Sequence, residues 1–256
     1  MAFFNGSTDY VDFGYSTIQD VAAVTVSAWV NLVAYNASYG VVANRTDSTH
    51  GKDWQLYIKS SGKIAVYTTS TIADGTGTAV VSLNTWTHIA FSFDTTNGLL
   101  IYVNGVLDST TASGGPLGWT APTQIQWIGY DNNPGRFLNG YISQVAQWGT
   151  TLSATEIKAL AAGFVPLKVR PDSLIGYYPL QGSQFLPDQA PNGSGLPLIP
   201  NGAPQPANDP PFLVPSRYTL FGPSPYGIDY LPAEGEWPAL LLPPAPLPLM
   251  GQIWLA

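Results

Sequence analysis

The chain has no cysteine among its 256 residues, so neither a disulfide framework nor a thiolate metal site can be built from it. A secreted ectodomain more often carries cysteine, and Met1 to Ser7 lack the basic and long apolar regions of a signal peptide, so no export is expected. Charge is scarce too: Asp, Glu, Lys and Arg make up 10% of the chain, against roughly 25% in an average globular protein. Nine Lys and Arg against sixteen Asp and Glu leave a net charge of −7, which argues against nucleic acid as a partner. Two separated histidines, His50 and His88, exclude His-rich zinc ligation. The only glutamates are Glu156, Glu234 and Glu236; no strand carries the paired carboxylates of a glycosidase, so an enzyme is not expected. The apolar runs at Leu240 to Leu242 and Trp254 to Leu255 are too short to span a bilayer, so no membrane is expected either.

What is present is alternation. In the run 84–94 Ile89, Phe91 and Phe93 fall on one face and Trp86, His88, Ala90 and Ser92 on the other, the period of a half-buried strand. Asn97-Gly98 is turn chemistry, Leu99, Ile101 and Val103 continue a second strand, and Asn104-Gly105 closes another hairpin. Further strand signals occur at 3–13, 24–31, 40–44, 54–59, 63–68, 78–83, 124–129 and 140–148, separated by Gly, Asn, Asp and Ser clusters at sandwich spacing. One helix is predicted over about 153–163. Ser153 and Glu156 form a capping box, Ile157, Leu160, Ala161 and Phe164 make an apolar stripe, and Gly163 is the stop.

From Pro171 onward the composition changes, with 19 of the 23 prolines in this last third. A β-like run at 173–180 interrupts it; beyond Asn201 the chain reads as extended or polyproline-like, yet too apolar for an ordinary linker. Two placements are open: the segment wraps along its own sandwich, or it crosses a neighbouring subunit. The second is favoured for 218–256, where Tyr218, Phe221, Tyr226, Tyr230, Trp237, Leu241, Leu247 and Trp254 are the expected partner-binding side chains.

The blocks Phe4-Asn-Gly-Ser-Thr-Asp-Tyr-Val, Val24-Thr-Val-Ser-Ala-Trp-Val, Asn84-Thr-Trp-Thr-His-Ile-Ala, Ile101-Tyr-Val-Asn-Gly, Phe137-Leu-Asn-Gly-Tyr-Ile and Leu152-Ser-Ala-Thr-Glu-Ile resemble, in order and spacing, a laminin G-like, concanavalin A-type jelly roll over about 1–165. The resemblance implies an all-β, two-sheet antiparallel sandwich with one short helix and a long Pro-rich C-terminal arm. Leu174-Ile-Gly-Tyr-Tyr-Pro-Leu with Asp188-Gln-Ala-Pro-Asn-Gly looks like an opening motif of such domains placed at the end, supplying a closing strand. The domain is therefore drawn as 1–200 and the arm as 201–256.

No cofactor is required by these residues, but related domains often hold calcium with loop carboxylates. Asp131 and Asn132 are the metal candidates, with Asp94 or Asp47 as lesser partners; the alternative is that they are turn-forming Asx residues. Sugar binding would use Trp54, Tyr57, Tyr67, Trp119, Trp127 and Tyr130 if exposed. The expected function is a virion structural protein, a capsid decoration protein of a tailed bacteriophage. Its arm would contact capsid protein or copies of itself in an oligomer; the alternative is a glycan-binding adhesion module.

Overall fold

The computed structural model describes residues 1–16, 22–47, 52–68, 75–112, 124–131, 133, 135–180, 187–193, 195 and 198–206. Among these the strands are β1 (Ala2–Asn5), β2 (Tyr10–Ser16), β3 (Val24–Ala34), β4 (Tyr39–Asp47), β5 (Lys52–Lys59), β6 (Lys63–Thr68), β7 (Gly75–Val80), β8 (Thr87–Asp94), β9 (Gly98–Val103), β10 (Val106–Thr111), β11 (Gln124–Ile128), β12 (Asn139–Trp148), β13 (Leu174–Tyr178), β14 (Ile199–Asn201) and β15 (Gln205–Pro206). One helix, α1 (Ala154–Ala161), follows β12. An eight-stranded sheet runs β10-β9-β8-β3-β12-β1-β15, with β13 also on β12, and a seven-stranded sheet runs β14-β2-β11-β4-β5-β6-β7. All named pairings are antiparallel. The inner faces meet in one core that includes Phe4, Val26, Trp54, Leu56, Phe91, Phe93, Ile101 and Ile128.

The single strand expected over 3–13 is two strands in different sheets. The turn between them is built by Asn5, whose Oδ1 accepts from the amides of Ser7 and Thr8, both at 2.9 Å, while its Nδ2 donates to Asp9 Oδ1 at 2.9 Å. Asx chemistry thus outweighs the apolar pattern and lets the chain change sheet.

The run 84–94 supplies β8, which is covered on both faces rather than half-buried. Ile89, Phe91 and Phe93 enter the inter-sheet core, whereas Ala90 lies on the outward face beneath α1. The registers place Tyr102, Ala90, Ser27, Ala146 and Tyr177 in one outward row across β9, β8, β3, β12 and β13. Ile157 and Leu160 of the helix pack on that row, and Trp148 donates its indole N–H to the Val169 carbonyl at 2.7 Å. Full burial of each such aliphatic side chain stabilises by about 1.5–3 kcal/mol.

The helix begins with the expected capping box: Ser153 Oγ accepts from the Glu156 amide at 3.3 Å and Glu156 Oε2 accepts from the Ser153 amide at 2.7 Å. Gly163, at φ +93°, ends it. Phe164 does not extend the apolar stripe; beyond the glycine it is 38% exposed.

At the β8–β9 turn only Gly98 has a positive φ, and Asp94 accepts from the amides of Thr96 (2.8 Å) and Asn97 (2.6 Å). Asp94 is therefore a turn-closing residue, as the Asx alternative has it. A carboxylate also clips the two sheets at one edge. Asp108 of β10 accepts from the amides of Thr78 (2.6 Å) and Ala79 (3.0 Å) of β7. Residue 77 must be glycine for this approach, because a Cβ there would lie 2.3 Å from Asp108 Oδ2.

β13 pairs along β12, and the buried Asp188 carboxylate holds it by accepting from the Tyr177 amide at 2.8 Å and the Ala190 amide at 3.0 Å. The boundary drawn at 200 falls within β14, which pairs with β2, and β15 then pairs with β1, so the chain follows its own sandwich as far as Pro206. Residues 207–256, with all eight expected partner-binding side chains, lie outside the described residues. Among the described residues no helix is long and apolar enough to cross a membrane.

Candidate functional site

The outward face of the seven-stranded sheet follows from register. Val11, Ile128, Ala43, Leu56 and Val66 pair across β2, β11, β4, β5 and β6 and point into the core. The next row, Asp12, Trp127, Asn44, Gln55 and Tyr67, must point the other way. Tyr57 of β5 has the same parity as Gln55. Tyr39 reaches that face too, pairing with Lys59 two positions beyond Tyr57.

A connection from Gly129 to Leu138 folds over this face. Its ends are tied by the Leu138 amide to the Gly129 carbonyl at 3.0 Å, and its far side by the Val41 amide to the Arg136 carbonyl at 3.2 Å. Asn44 Nδ2 donates to the Tyr130 carbonyl at 2.7 Å from the sheet below. The Tyr130 and Phe137 rings stack 4.4 Å apart at 9°; Tyr10 lies 4.9 Å and Trp127 5.9 Å from Tyr130. A second pair, Tyr39 and Tyr57, has its centroids 4.6 Å apart.

Asp131 joins the two aromatic groups. Its side chain has no exposed surface; it accepts from Gln55 Nε2 at 2.8 Å, from Arg136 at 3.1 Å and from the Asn133 amide at 3.2 Å, and Tyr39 lies 3.4 Å away. The Arg136 guanidinium sits 4.5 Å over the Tyr39 ring. Burial, reinforced by the Asp131 charge and opposed by Arg136, pushes the Tyr39 hydroxyl well above its ordinary value. Burial raises Tyr130 and Tyr10 as well, with Asp131 and Asp12 respectively among the added causes. These phenols stay neutral hydrogen-bonding groups.

Of the six aromatic candidates, Tyr57, Tyr67, Trp127 and Tyr130 belong to this face. Trp54 does not: it is inside the core, 5.8 Å from Phe91. Trp54 and Tyr57 stand three apart on one strand, so alternation puts them on opposite faces. Trp119 and the metal candidate Asn132 lie outside the described residues, as does His50. Asp131, the other metal candidate, is engaged with the Arg136 cation and with neutral donors from Gln55, Asn133 and Tyr39, and Asp94 belongs to the other sheet. Among the described residues no three His, Cys, Asp or Glu side chains group as a metal site. His88 is buried on the eight-stranded sheet, 5.3 Å from Trp29 and away from this face. Sequence reading did not single out Tyr10, Tyr39, Gln55, Arg136 or Phe137. Parity along β4 and β5 identifies Tyr39 and Gln55 with Tyr57, but the return of the 129–138 connection onto the face has no local signal.

Comparison with known proteins agrees with this architecture. Residues 5–158 match the laminin G-type model described as the concanavalin A-like lectin/glucanases superfamily. No curated protein sequence matches the chain. Among solved structures, a putative carbohydrate binding protein from Bacteroides ovatus is 20% identical with a TM-score of 0.60, covering 81% of this chain and 61% of its own. The heptameric SAP-like pentraxin of Limulus polyphemus is 13% identical with a TM-score of 0.55, covering 78% of this chain and 93% of its own. At these identities the likeness is one of fold.

Proposed function

The chain belongs to the concanavalin A-like lectin/glucanase superfamily, and on that premise we propose that it is a non-enzymatic glycan-binding module whose ligand lies on the outward face of the seven-stranded sheet. The observation that carries this reading is the set of half-buried rings, Tyr10, Tyr39, Tyr57, Tyr130 and Phe137, fixed around one polar centre. A pyranose presents an apolar C–H face to such rings and hydroxyls to their edges. Arg136, whose side chain is 27% exposed, is the charged donor there. Asp131, fully covered, is a positioning residue that holds Arg136 over Tyr39. The ion pair gives the carboxylate a cation already, so this site needs no calcium. Glycan-array binding by the intact protein, lost in Tyr57→Ala and Tyr130→Ala variants that keep their unfolding temperature, is the expected result. Silence of the folded wild-type protein across the array would sink the reading.

A second reading rests on the apolar, proline-rich sequence beyond Pro206. Such a segment has a pre-stiffened backbone and side chains suited to burial against other protein, which lowers the ordering cost of binding. The protein would then be a virion component, a capsid decoration protein bound to neighbouring subunits or copies of itself through this segment while displaying the aromatic face. A chain ending at Pro206 should stay folded and lose association with particles or subunits. Retained association would overturn the assignment of contact to this segment.

A further inference from the structure

A cleft of about 380 Å³ opens on the other side of the molecule, between the outward face of β8 and β9 and the link from β12 into α1. We propose that it is a second ligand site, for a neutral, multiply hydroxylated ring such as a single pyranose. It shares no residue with the aromatic face and does not depend on that reading.

The cleft is positioned by Thr25, whose hydroxyl donates to the Thr150 carbonyl at 2.8 Å and accepts from the Leu152 amide at 2.9 Å, holding the link above β3. Leu100, Tyr102 and Leu152 supply its apolar wall, and Ser92, whose hydroxyl bonds that of Tyr102, opens onto the same space. The opposing wall carries the hydroxyls of Thr150, Thr151 and Ser153. Each hydroxyl offers one donor and two acceptor positions, so bonds within the protein leave capacity for a ligand.

Charge selects among ligands. Asp94 lines the cleft beside Arg170, whose charge Glu156 already balances, so the lining carries a net negative charge that disfavours an anion. Asp94 is held in place by Thr96, Asn97 and Thr151. Arg170 commits its Nε to Glu156 and retains two amino groups as donors. A wholly apolar ligand would shut the Arg170 amino groups off from water without giving them a partner, which costs more than burial gains in so small a space. A neutral polyol ring with one apolar face satisfies both walls. The volume lies near the lower end of the roughly 300–1,000 Å³ usual for small-ligand sites, so one ring is accommodated and a chain is not.

The test is an amide chemical-shift titration of the full chain with methyl glycosides of glucose, galactose, mannose and N-acetylglucosamine. At least one should give saturable shifts at residues 92–102 and 150–154. Ala154→Trp, at an exposed position on the rim, should abolish those shifts and leave any at Tyr57 and Tyr130 intact. Glucuronate should bind about tenfold more weakly than the neutral sugar, a measurement that stands even if the tryptophan variant fails to fold. The proposal is overturned if no neutral glycoside shifts these residues at up to about 100 mM, far above a millimolar dissociation constant. Shifts confined to the aromatic face, or glucuronate binding equal to that of the neutral sugar, would also overturn it.

Discussion

Acidification should destabilise this fold through one identifiable side chain. His88 is 1% exposed, pairs in register with Trp29 on the outward side of the eight-stranded sheet, and finds no hydrogen-bond partner among the described residues for either ring nitrogen. Burial alone lowers its imidazole from the ordinary 6.5 to about 3. The unfolded chain therefore takes up a proton near pH 6.5 that the folded chain refuses until about pH 3. The full contribution of the neutral imidazole is present above pH 6.5 and is lost as pH drops toward 3, a loss on the order of 3 kcal/mol by about pH 4.5. Asp94 acts in a lower window. Burial raises it, but hydrogen bonds from Asn97, Thr96 and Thr151 outweigh burial and hold it below 3.8, so its stabilisation is lost only as pH falls beneath that value. Urea unfolding at pH steps from about 7 to about 4.5 isolates the histidine. His88→Phe should lose the proton-linked slope in this range and be neutral or slightly stabilising at pH 7, since two unsatisfied buried nitrogens are removed. Equal slopes in the wild-type and variant proteins, or a folded-state imidazole titrating near 6.5 by NMR, would refute the reasoning.

Three further outcomes are expected. Asp108→Ala should cost about 1–2 kcal/mol by denaturant unfolding, because the Thr78 and Ala79 amides lose a charged acceptor, with Asp108→Asn intermediate. Ser153→Ala should cost about 1 kcal/mol in the same assay by removing half of the capping box, and an unchanged midpoint would show that packing alone fixes the helix start. At alkaline pH the sign reverses. Tyr39 is raised above 10 in the folded state, so the unfolded chain releases its proton first and stability falls as pH rises past 10; Tyr39→Phe should flatten that fall, followed by tyrosinate absorbance.

The fold was legible wherever alternation and turn chemistry agreed. Thr87 to Val103, the capping box and the closing strand are where the pattern put them, because each is decided by neighbours in sequence. The failures have a different physics. Residues 3–13 carry apolar side chains at both ends, but the polar run Asn5 to Asp9 between them is a turn, in which Asn5 and Asp9 form more hydrogen bonds than a continuous strand would allow them. β8 looked half-buried because Ala90 and Ser92 are small and His88 polar; their small size instead admits a helix that begins sixty residues further along the chain. Gln126 and Gln147 are polar yet inward, and they meet at 3.4 Å across the sheets. Trp54 could have been removed from the surface set by parity alone. The pairing of Asp131 with Arg136 could not, since it depends on how the 129–138 connection returns.

The two outward faces are finished differently, and that difference favours the seven-stranded sheet for the proposed site. On the eight-stranded sheet the central row is built from Ala90, Ser27 and Ala146, side chains too short to bind anything themselves, and α1 covers them with Ile157 and Leu160. On the seven-stranded sheet the corresponding rows carry Trp127, Gln55, Tyr67 and Tyr57, and no helix among the described residues packs there. Among the described residues the short 129–138 connection crosses it, bringing two more rings and an ion pair. Such residues would be costly beneath a helix, where the ion pair would be desolvated without further partners and the phenols buried without acceptors. On an open face the same residues keep part of each ring in water while Asp131, itself covered, keeps Arg136 in place over Tyr39. If the face were only structural, replacing Asp131 and Arg136 together by Leu and Met would leave glycan binding unchanged, whereas a recognition surface loses its donor and its geometry together.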